Sequence, residues 1–320
     1  MQNVLKSISS EFHAVNDLII AQLKSDVALV GDIGHYIVEA GGKRLRPMLT
    51  LLTAKALGNS GDSHVKFAAV IEFIHTATLL HDDVVDLSHL RRGRPTANAE
   101  FGNSSSVLVG DFLYTRAFQL MVNIGDMRIL RNMADSTNII AEGEVLQLER
   151  AGDPTTNENQ YLDIINRKTA TLFSSACFGG TVSNQAEFST ADIMANFGRY
   201  LGMAFQITDD ILDYFGNAQN MGKNLGDDLA EGKMTLPLIR VMQIGNAKET
   251  KLISEAITRK DRHAFEKVLV AIEANDAIEY CKEVARKYRD LATAEIEFLD
   301  SNHASEGLRR LCQISVNRLS

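Results

Sequence analysis

Two short acidic segments constrain this chain more than anything else in it. Leu80-His81-Asp82-Asp83-Val84-Val85-Asp86 closes an apolar helical run that starts at Phe67, and Thr208-Asp209-Asp210-Ile211-Leu212-Asp213 closes another that starts at Phe197. Residues four apart on a helix share a face, so Asp82 points with Asp86 and Asp209 with Asp213. Asp83 lies about 100° further round and is the weaker candidate for the first cluster. Like charges at this spacing destabilise a bare helix, so something positive belongs beside them. Hard divalent cations prefer oxygen ligands, and Mg²⁺ typically uses one or two carboxylates plus substrate phosphates. One acidic triplet is most often a solvated cluster. Two copies of Asp-Asp-x-x-Asp, each ending an apolar helix, are far more specific: facing each other, they would hold Mg²⁺ around a diphosphate.

The rest of the chain supports a helical setting. Four prolines in 320 residues, Pro47, Pro95, Pro154 and Pro237, leave room for long helices. No strand-type alternation stands out, and no Gly/Ser/Pro-rich linker divides the chain, so the expectation is one all-α domain over residues 1–320. The net charge of −8 argues against nucleic acid or an anionic membrane as partner. Cys177, Cys281 and Cys312 show no metal-type spacing and read as reduced core thiols, which points to the cytoplasm. Residues 1–15 resemble neither a signal peptide nor an arginine-rich transit peptide. No run of about 18 apolar residues exists, so no membrane-spanning helix is expected.

Along the chain, residues 3–23 and 26–39 read as amphipathic helices. Ala40-Gly41-Gly42-Lys43-Arg44-Leu45-Arg46-Pro47 ends one helix and opens the next, 47–58, so its cations lie at a helix N-terminus. There they oppose the macrodipole. A solvated basic turn is the plain reading; an anion site, with helix N–H groups and basic side chains facing a phosphate, explains the position better. The helix 63–86 carries His75 seven residues before Asp82, on nearly the same face and about 10 Å away. A lone histidine is usually a satisfied polar group, and only this alignment raises it. Ser88 to Asn98 is a polar loop with Arg91, Arg92 and Arg94, placed to close over a polyanion held at the acidic cluster.

Residues 104–123 and 126–149 read as buried helices in which Asp111 and Glu144 interrupt apolar faces. Asn157 to Val182 reads as one helix with Lys168-Thr169 on an apolar face; a lysine pointed inward there needs an anion. Gln206 lines the face of Asp209 on the helix 189–215. Gly216 to Lys233 is a polar loop with Lys223, Asp227, Asp228 and Lys233. The remaining helices to Ser320 show no site signal.

Taken together, Gly41-Gly42-Lys43-Arg44-Leu45-Arg46-Pro47, His81-Asp82-Asp83-Val84-Val85-Asp86, Arg91-Arg92-Gly93, Lys168-Thr169, Phe205-Gln206-Ile207-Thr208-Asp209-Asp210-Ile211-Leu212-Asp213 and Gly222-Lys223 resemble the signature set of the trans-polyprenyl diphosphate synthase family. The resemblance spans roughly residues 30–240, in the family's order. It implies an all-α isoprenoid-synthase-type bundle around a central cavity, usually a homodimer. It also implies repeated addition of isopentenyl diphosphate to an allylic diphosphate. By position, Lys43, Arg46, His75 and Arg92 would bind isopentenyl diphosphate. Arg91, Lys168, Thr169 and Gln206 would contact the allylic substrate, with Lys223 and Lys233 as helpers. Asp82, Asp86 and Asp209 would hold Mg²⁺, with Asp213 supporting them. Phe73 to His81 and Ala141 to Leu148 look like the long-chain branch, whose octaprenyl products of about C40 from farnesyl diphosphate become quinone side chains.

Product length has its own candidates. An allylic diphosphate anchored at Asp82 would send its tail along the helix toward residue 67, past Thr78 and Ala77. In short-chain relatives large aromatic residues near these positions block growth; here both are small. Phe118 and Met121, on the helix 104–123, are candidates for the tunnel floor. All four also read plainly as core residues. Two other functions compete. A terpene cyclase also ionises an allylic diphosphate with an acidic pair but needs no second diphosphate site, so the Lys43, Arg46 and His75 set argues against it. A regulatory subunit would lose acidic ligands, and all six are kept.

Overall fold

Val15, Ile19 and Leu23 recur at helical spacing and are buried, and the chain accordingly opens with helix α1 (Ser9–Gln22). The computed structural model describes residues 6–39, 41–42, 44–58, 61–183, 187–216 and 225–317. Chain contacts group into two compact units. The first comprises Met1–Ser136, Leu172–Gly198 and Glu295–Leu311; the second comprises Thr137–Thr171, Arg199–Ala294 and Cys312–Ser320.

In the first unit, α1 is followed by α2 (Ala28–Glu39), α3 (Leu45–Ala56) and α4 (Ser63–Val85). Helix α4 buries Phe67, Val70, Ile71, Phe73, Ile74, Ala77 and Leu80, an apolar surface nearly all round, which only a central helix tolerates. A short hairpin, β1 (Leu90–Arg91) and β2 (Arg94–Pro95), then leads through α5 (Ala97–Phe101) into α6 (Asn103–Ile124), which packs directly on α4, as do α1 and α3. Helix α7 (Met127–Arg150) begins in this unit.

The second unit contains α8 (Glu158–Ile165), opened by a reciprocal cap between Asn157 and Gln160, and a π-helical turn at Asn166–Ala170. The turn runs on into α9 (Thr171–Val182), which belongs to the first unit from Leu172 on. Helix α10 (Phe188–Phe215) carries the second acidic motif, followed by α11 (Asp227–Glu231), α12 (Leu236–Ile244) and α13 (Ala247–Arg259). Then come a 3₁₀ turn (Arg262–Ala264), α14 (Phe265–Ala274), α15 (Ala277–Glu295) and α16 (His303–Asn317), the last lying in the first unit as far as Leu311. Tyr161, Ile207, Ile211, Tyr214, Ile239 and Cys281 belong to one buried core there.

The fold is all-α, as expected. Three local expectations change. The helix anticipated over 157–182 is interrupted by the π turn, and the loop 88–98 contains the hairpin and the start of α5. Asp111 is not in the core: it is exposed and faces His81 at 3.5 Å. Cys177, Cys281 and Cys312 are buried, and none of them is in a disulfide. Among the described residues, no helix is long and apolar enough to cross a membrane.

Candidate functional site

The acidic end of α4 is built from its helix geometry. Asp86 N–H donates to Asp82 O at 2.7 Å, so the turn stays helical and the two side chains share a face. Both are half-buried, whereas Asp83 is buried. Leu87 takes a left-handed conformation (φ 53°) and Ser88 N–H donates to Asp83 O at 2.9 Å, closing the helix in the manner usually reserved for glycine. Asp83 turns away from its neighbours to Arg91, whose Nε and Nη2 donate to Asp83 Oδ1 at 3.0 and 2.7 Å. Burial works against the Arg91 charge, but Asp83, then Asp82 and Asp86, hold its pKa above the ordinary arginine value. Arg91 is therefore the cation expected beside the acidic triplet.

Arg91 belongs to the hairpin that presents Arg92. The two central residues, Arg92 (φ 55°) and Gly93 (φ 74°), both adopt positive φ, the pattern of a type I′ turn matched to strand twist. Tyr36 fastens this hairpin to α2: its hydroxyl donates to Pro95 O at 2.7 Å, and the Arg94 guanidinium lies 5.2 Å above its ring. The Arg92 guanidinium in turn lies against Gly42, where a Cβ would meet its central carbon at 2.8 Å. This close approach, with φ 152° at Gly42, gives the second glycine of Gly41-Gly42 a physical reason.

Arg46 and His75 are brought together. Arg46 Nη1 lies 3.0 Å from His75 Nε2, and its guanidinium stacks 4.6 Å over the Phe173 ring. Burial, then the charges of Arg46, Arg92 and Arg91, push the His75 imidazole well below its usual pKa. It is therefore neutral, with Nε2 accepting from Arg46. Arg44, left-handed at φ 43° before α3, donates to Asn16 and faces Glu72 across 3.8 Å. Burial raises the Glu72 carboxyl above its usual pKa despite the opposing charges of Arg44, Arg46 and Arg92. A cavity of about 40 Å³ is lined by Arg44, Glu72, His75 and Arg92 together with apolar residues of α1, α2, α4 and α6.

In the second unit, the π turn presents Lys168 and Thr169; such turns recur at functional sites. Lys168 Nζ meets Glu144 at 2.6 Å, the anion its position required. Thr169 Oγ1 donates to Gln206 Oε1 at 2.9 Å, Gln206 Nε2 donates to Asp210 Oδ1 at 2.8 Å, and the Tyr161 hydroxyl donates to Asp210 Oδ2 at 2.5 Å. Asp209 is half-buried one residue before this chain. Burial, then the charge of Asp228, raises the Asp210 carboxyl well above its usual pKa and pushes Asp213 up to about 9. Asp213 Oδ2 accepts from Asp228 N–H at 3.2 Å. Lys233 pairs with Glu231.

Lys43 and Lys223 lie outside the described residues. Ala77 and Met121 are buried, and Thr78 and Phe118 half-buried. Thr78 Oγ1 donates to His75 O at 2.9 Å, and the Phe118 ring lies 6.1 Å from Tyr114. Among the described residues, no group of three or more His, Cys, Asp or Glu is placed to hold a metal ion. The sequence reading missed Glu72, Tyr36 and Tyr161. An acid inside an apolar run, three residues before His75, was a signal for Glu72; the two tyrosines carried none.

These sites sit in a recognisable family. The polyprenyl synthetase family model matches residues 27–274, and the chain belongs to that family. It is 47% identical to the octaprenyl diphosphate synthase of Haemophilus influenzae over 319 residues, covering 99% of this chain and 97% of that one. The octaprenyl diphosphate synthase of Escherichia coli is 46% identical over 321 residues, with 99% of both chains covered. Among solved structures, a polyprenyl synthase from Caulobacter crescentus, complexed with calcium and isoprenyl diphosphate, superposes with a TM-score of 0.96 at 40% identity, covering 100% of this chain and 98% of that one.

Proposed function

We propose that this chain is a long-chain trans-prenyltransferase that adds isopentenyl diphosphate repeatedly to an allylic diphosphate, farnesyl diphosphate by preference, to give about C40 octaprenyl diphosphate for quinone side chains. The observation that carries this reading is the meeting of Arg46, His75 and Arg92 in one unit that also bears Asp82 and Asp86. A basic diphosphate site beside an acidic one serves two diphosphate substrates, where a cyclase needs one. The identity to two octaprenyl diphosphate synthases supports the product length.

Arg46, His75, Arg92 and Lys43 take isopentenyl diphosphate. Arg91, Lys168, Thr169 and Gln206, with Lys223 and Lys233, take the allylic substrate. Asp82 and Asp86 fit a divalent cation: two carboxylates on one face, at the carbonyl end of α4 where the helix dipole favours positive charge. Two protein carboxylates suffice when the substrate's phosphates complete the shell, so a preformed three-residue cluster is not required. Asp209 supplies the ligand from the second motif, and the solved relative's complex with calcium supports a divalent metal in this chain's chemistry. When bound, Mg²⁺ neutralises charge developing on the leaving diphosphate.

The chain's own groups do the rest. C–O cleavage leaves an allylic cation and a diphosphate; the basic side chains hold the anion. The Thr169 proton is directed at Gln206, which supports a role for the hydroxyl lone pairs and the Gln206 carbonyl dipole in stabilising the cation. The departing diphosphate takes the proton released after C–C bond formation. The chain works as a single synthase domain over residues 1–320, in the cytoplasm. Leu108 and Val122, exposed near one face of α6, suit a homodimer contact. The purified chain, given farnesyl diphosphate, labelled isopentenyl diphosphate and Mg²⁺, is expected to yield products near C40. Products formed without isopentenyl diphosphate would indicate a cyclase, and inactivity alone a regulatory subunit.

A further inference from the structure

Glu72 is the one part of the basic site that a diphosphate-binding role does not explain. Its Oε1 faces Arg44 Nε across 3.8 Å, both side chains being at most 16% exposed, and its Oε2 is buried without a hydrogen-bond partner among the described residues. A buried carboxylate oxygen with no donor is unusual and calls for a reason. We infer that Glu72 is the internal counter-anion of this site, and that isopentenyl diphosphate entering it brings one proton from solvent onto Glu72. This rests on the reading that Arg46, His75 and Arg92 receive isopentenyl diphosphate.

The argument is one of charge. The cations that favour ionised Glu72 are Arg44, Arg46 and Arg92, and a diphosphate would engage guanidinium groups of that same set. Its arrival weakens what keeps Glu72 ionised and adds a second anion beside it. Two anions sharing one site raise the proton affinity of the weaker acid, and burial already favours the neutral form of Glu72. Among the described residues, no other acid lines this cavity. Arg44 precedes α3, His75 is on α4 and Arg92 on the hairpin, while α1, α2 and α6 contribute only apolar side chains and a glycine. Arg46 reaches the site through His75, and Arg91 adds a further charge felt there. Protonated Glu72 becomes a hydrogen-bond donor, which gives the unpartnered oxygen a use in the liganded state. His75 is the competing acceptor, but its Nε2 already accepts from Arg46.

Calorimetric titration of the full chain with isopentenyl diphosphate, without allylic primer, tests this in two buffers of different ionisation enthalpy near pH 7.5. Wild type is expected to take up a proton, up to one per site, and its affinity to fall up to about tenfold per pH unit as pH rises. Glu72→Gln should abolish the uptake, flatten that dependence, and bind at least as tightly at pH 8. Uptake undiminished in Glu72→Gln would assign the proton to His75 and overturn the proposal. Net proton release in wild type would overturn it too, because the substrate's terminal phosphate, titrating near about pH 6, would be the group responding. If Glu72→Gln does not fold, infrared difference spectra of wild type decide: a protonated-carboxyl band appears on adding isopentenyl diphosphate, or the proposal fails. Absence of any binding to wild type would overturn the isopentenyl reading itself, and the proposal with it.

Discussion

At the scale of single residues, the site divides by what each charge touches. Asp82 and Asp209 are half-buried acids on the proposed diphosphate-metal path, and Asp82→Ala and Asp209→Ala are each expected to lower kcat by orders of magnitude with the fold intact. Near-normal kcat at saturating Mg²⁺ would remove them from that path. On the proposed reading Arg92 makes a charge-assisted contact with isopentenyl diphosphate, so Arg92→Ala should raise the isopentenyl diphosphate KM roughly 10- to 150-fold, the equivalent of about 1.5–3 kcal/mol. The allylic KM should move much less, and equal effects on both would contradict separate sites. Asp213 shows the opposite economy of charge. Its carboxyl is pushed up to about 9 in the folded chain by burial and then Asp228. A raised acid binds its proton more tightly when folded, so its contribution to stability is full at acid pH and is lost as pH climbs through the folded pKa. Without metal, the melting temperature should fall from pH 5 to pH 9, and Asp213→Asn should reduce that slope. A slope unchanged in Asp213→Asn would mean that Asp213 is not its source.

At the scale of elements, the arginine hairpin shows what spacing reveals and what it conceals. The run Arg91-Arg92-Gly93-Arg94 next to an acidic cluster was readable as a closing basic loop. Its hairpin form was not, because two-residue strands carry no alternation. Nor was its anchor: Tyr36 reaches Pro95 O from 59 positions away, and no local pattern announces such a contact. The long helices were legible because burial on one face imposes a 3.6-residue period. The π turn at Asn166–Ala170 was not, since neither proline nor glycine marks it. The Thr169–Gln206–Asp210–Tyr161 chain was half legible: Thr169 and Gln206 stand out by helix face and by family resemblance, while Tyr161 joins from another helix 49 positions away from Asp210. The hairpin's geometry is itself testable. Gly93→Val places a β-branched residue at φ 74°, a strain of about 1–3 kcal/mol. Local hydrogen exchange across residues 88–96 should quicken, and the isopentenyl diphosphate KM should rise with Arg92 displaced. Unaltered exchange and KM would mean the turn tolerates the side chain and does not position Arg92.

At the scale of the whole molecule, the open question is how far a growing chain extends before it stops. On the proposed reading Asp82 fixes the diphosphate end, and the stretch of α4 from Phe67 to Asp82 rises about 22 Å at 1.5 Å per residue, so the tail can run beside it for several isoprene units. Helix α6 packs directly on α4, and a tail following that side of α4 would run beside it. Thr78, one turn before Asp82 and half-buried, and Ala77, fully buried, are the first positions it meets. The cavity seen on α4 borders Phe73, Thr76 and Leu79 instead, with Leu113 of α6, which is the neighbouring face of the same helix. Substitution separates the two. Ala77→Phe or Thr78→Phe in a closed core would overpack it, costing about 1–3 kcal/mol with little effect on products. In a tunnel wall, the same rings would leave a folded enzyme whose products shorten to about C15–C20, and this is the expected outcome. Thr76→Phe, on the cavity face, should leave product length near C40 if Ala77 and Thr78 line the path. Shortening by Thr76→Phe alone would move the path to that face, and with it the search for the floor from Phe118 and Met121 to the residues around Leu113.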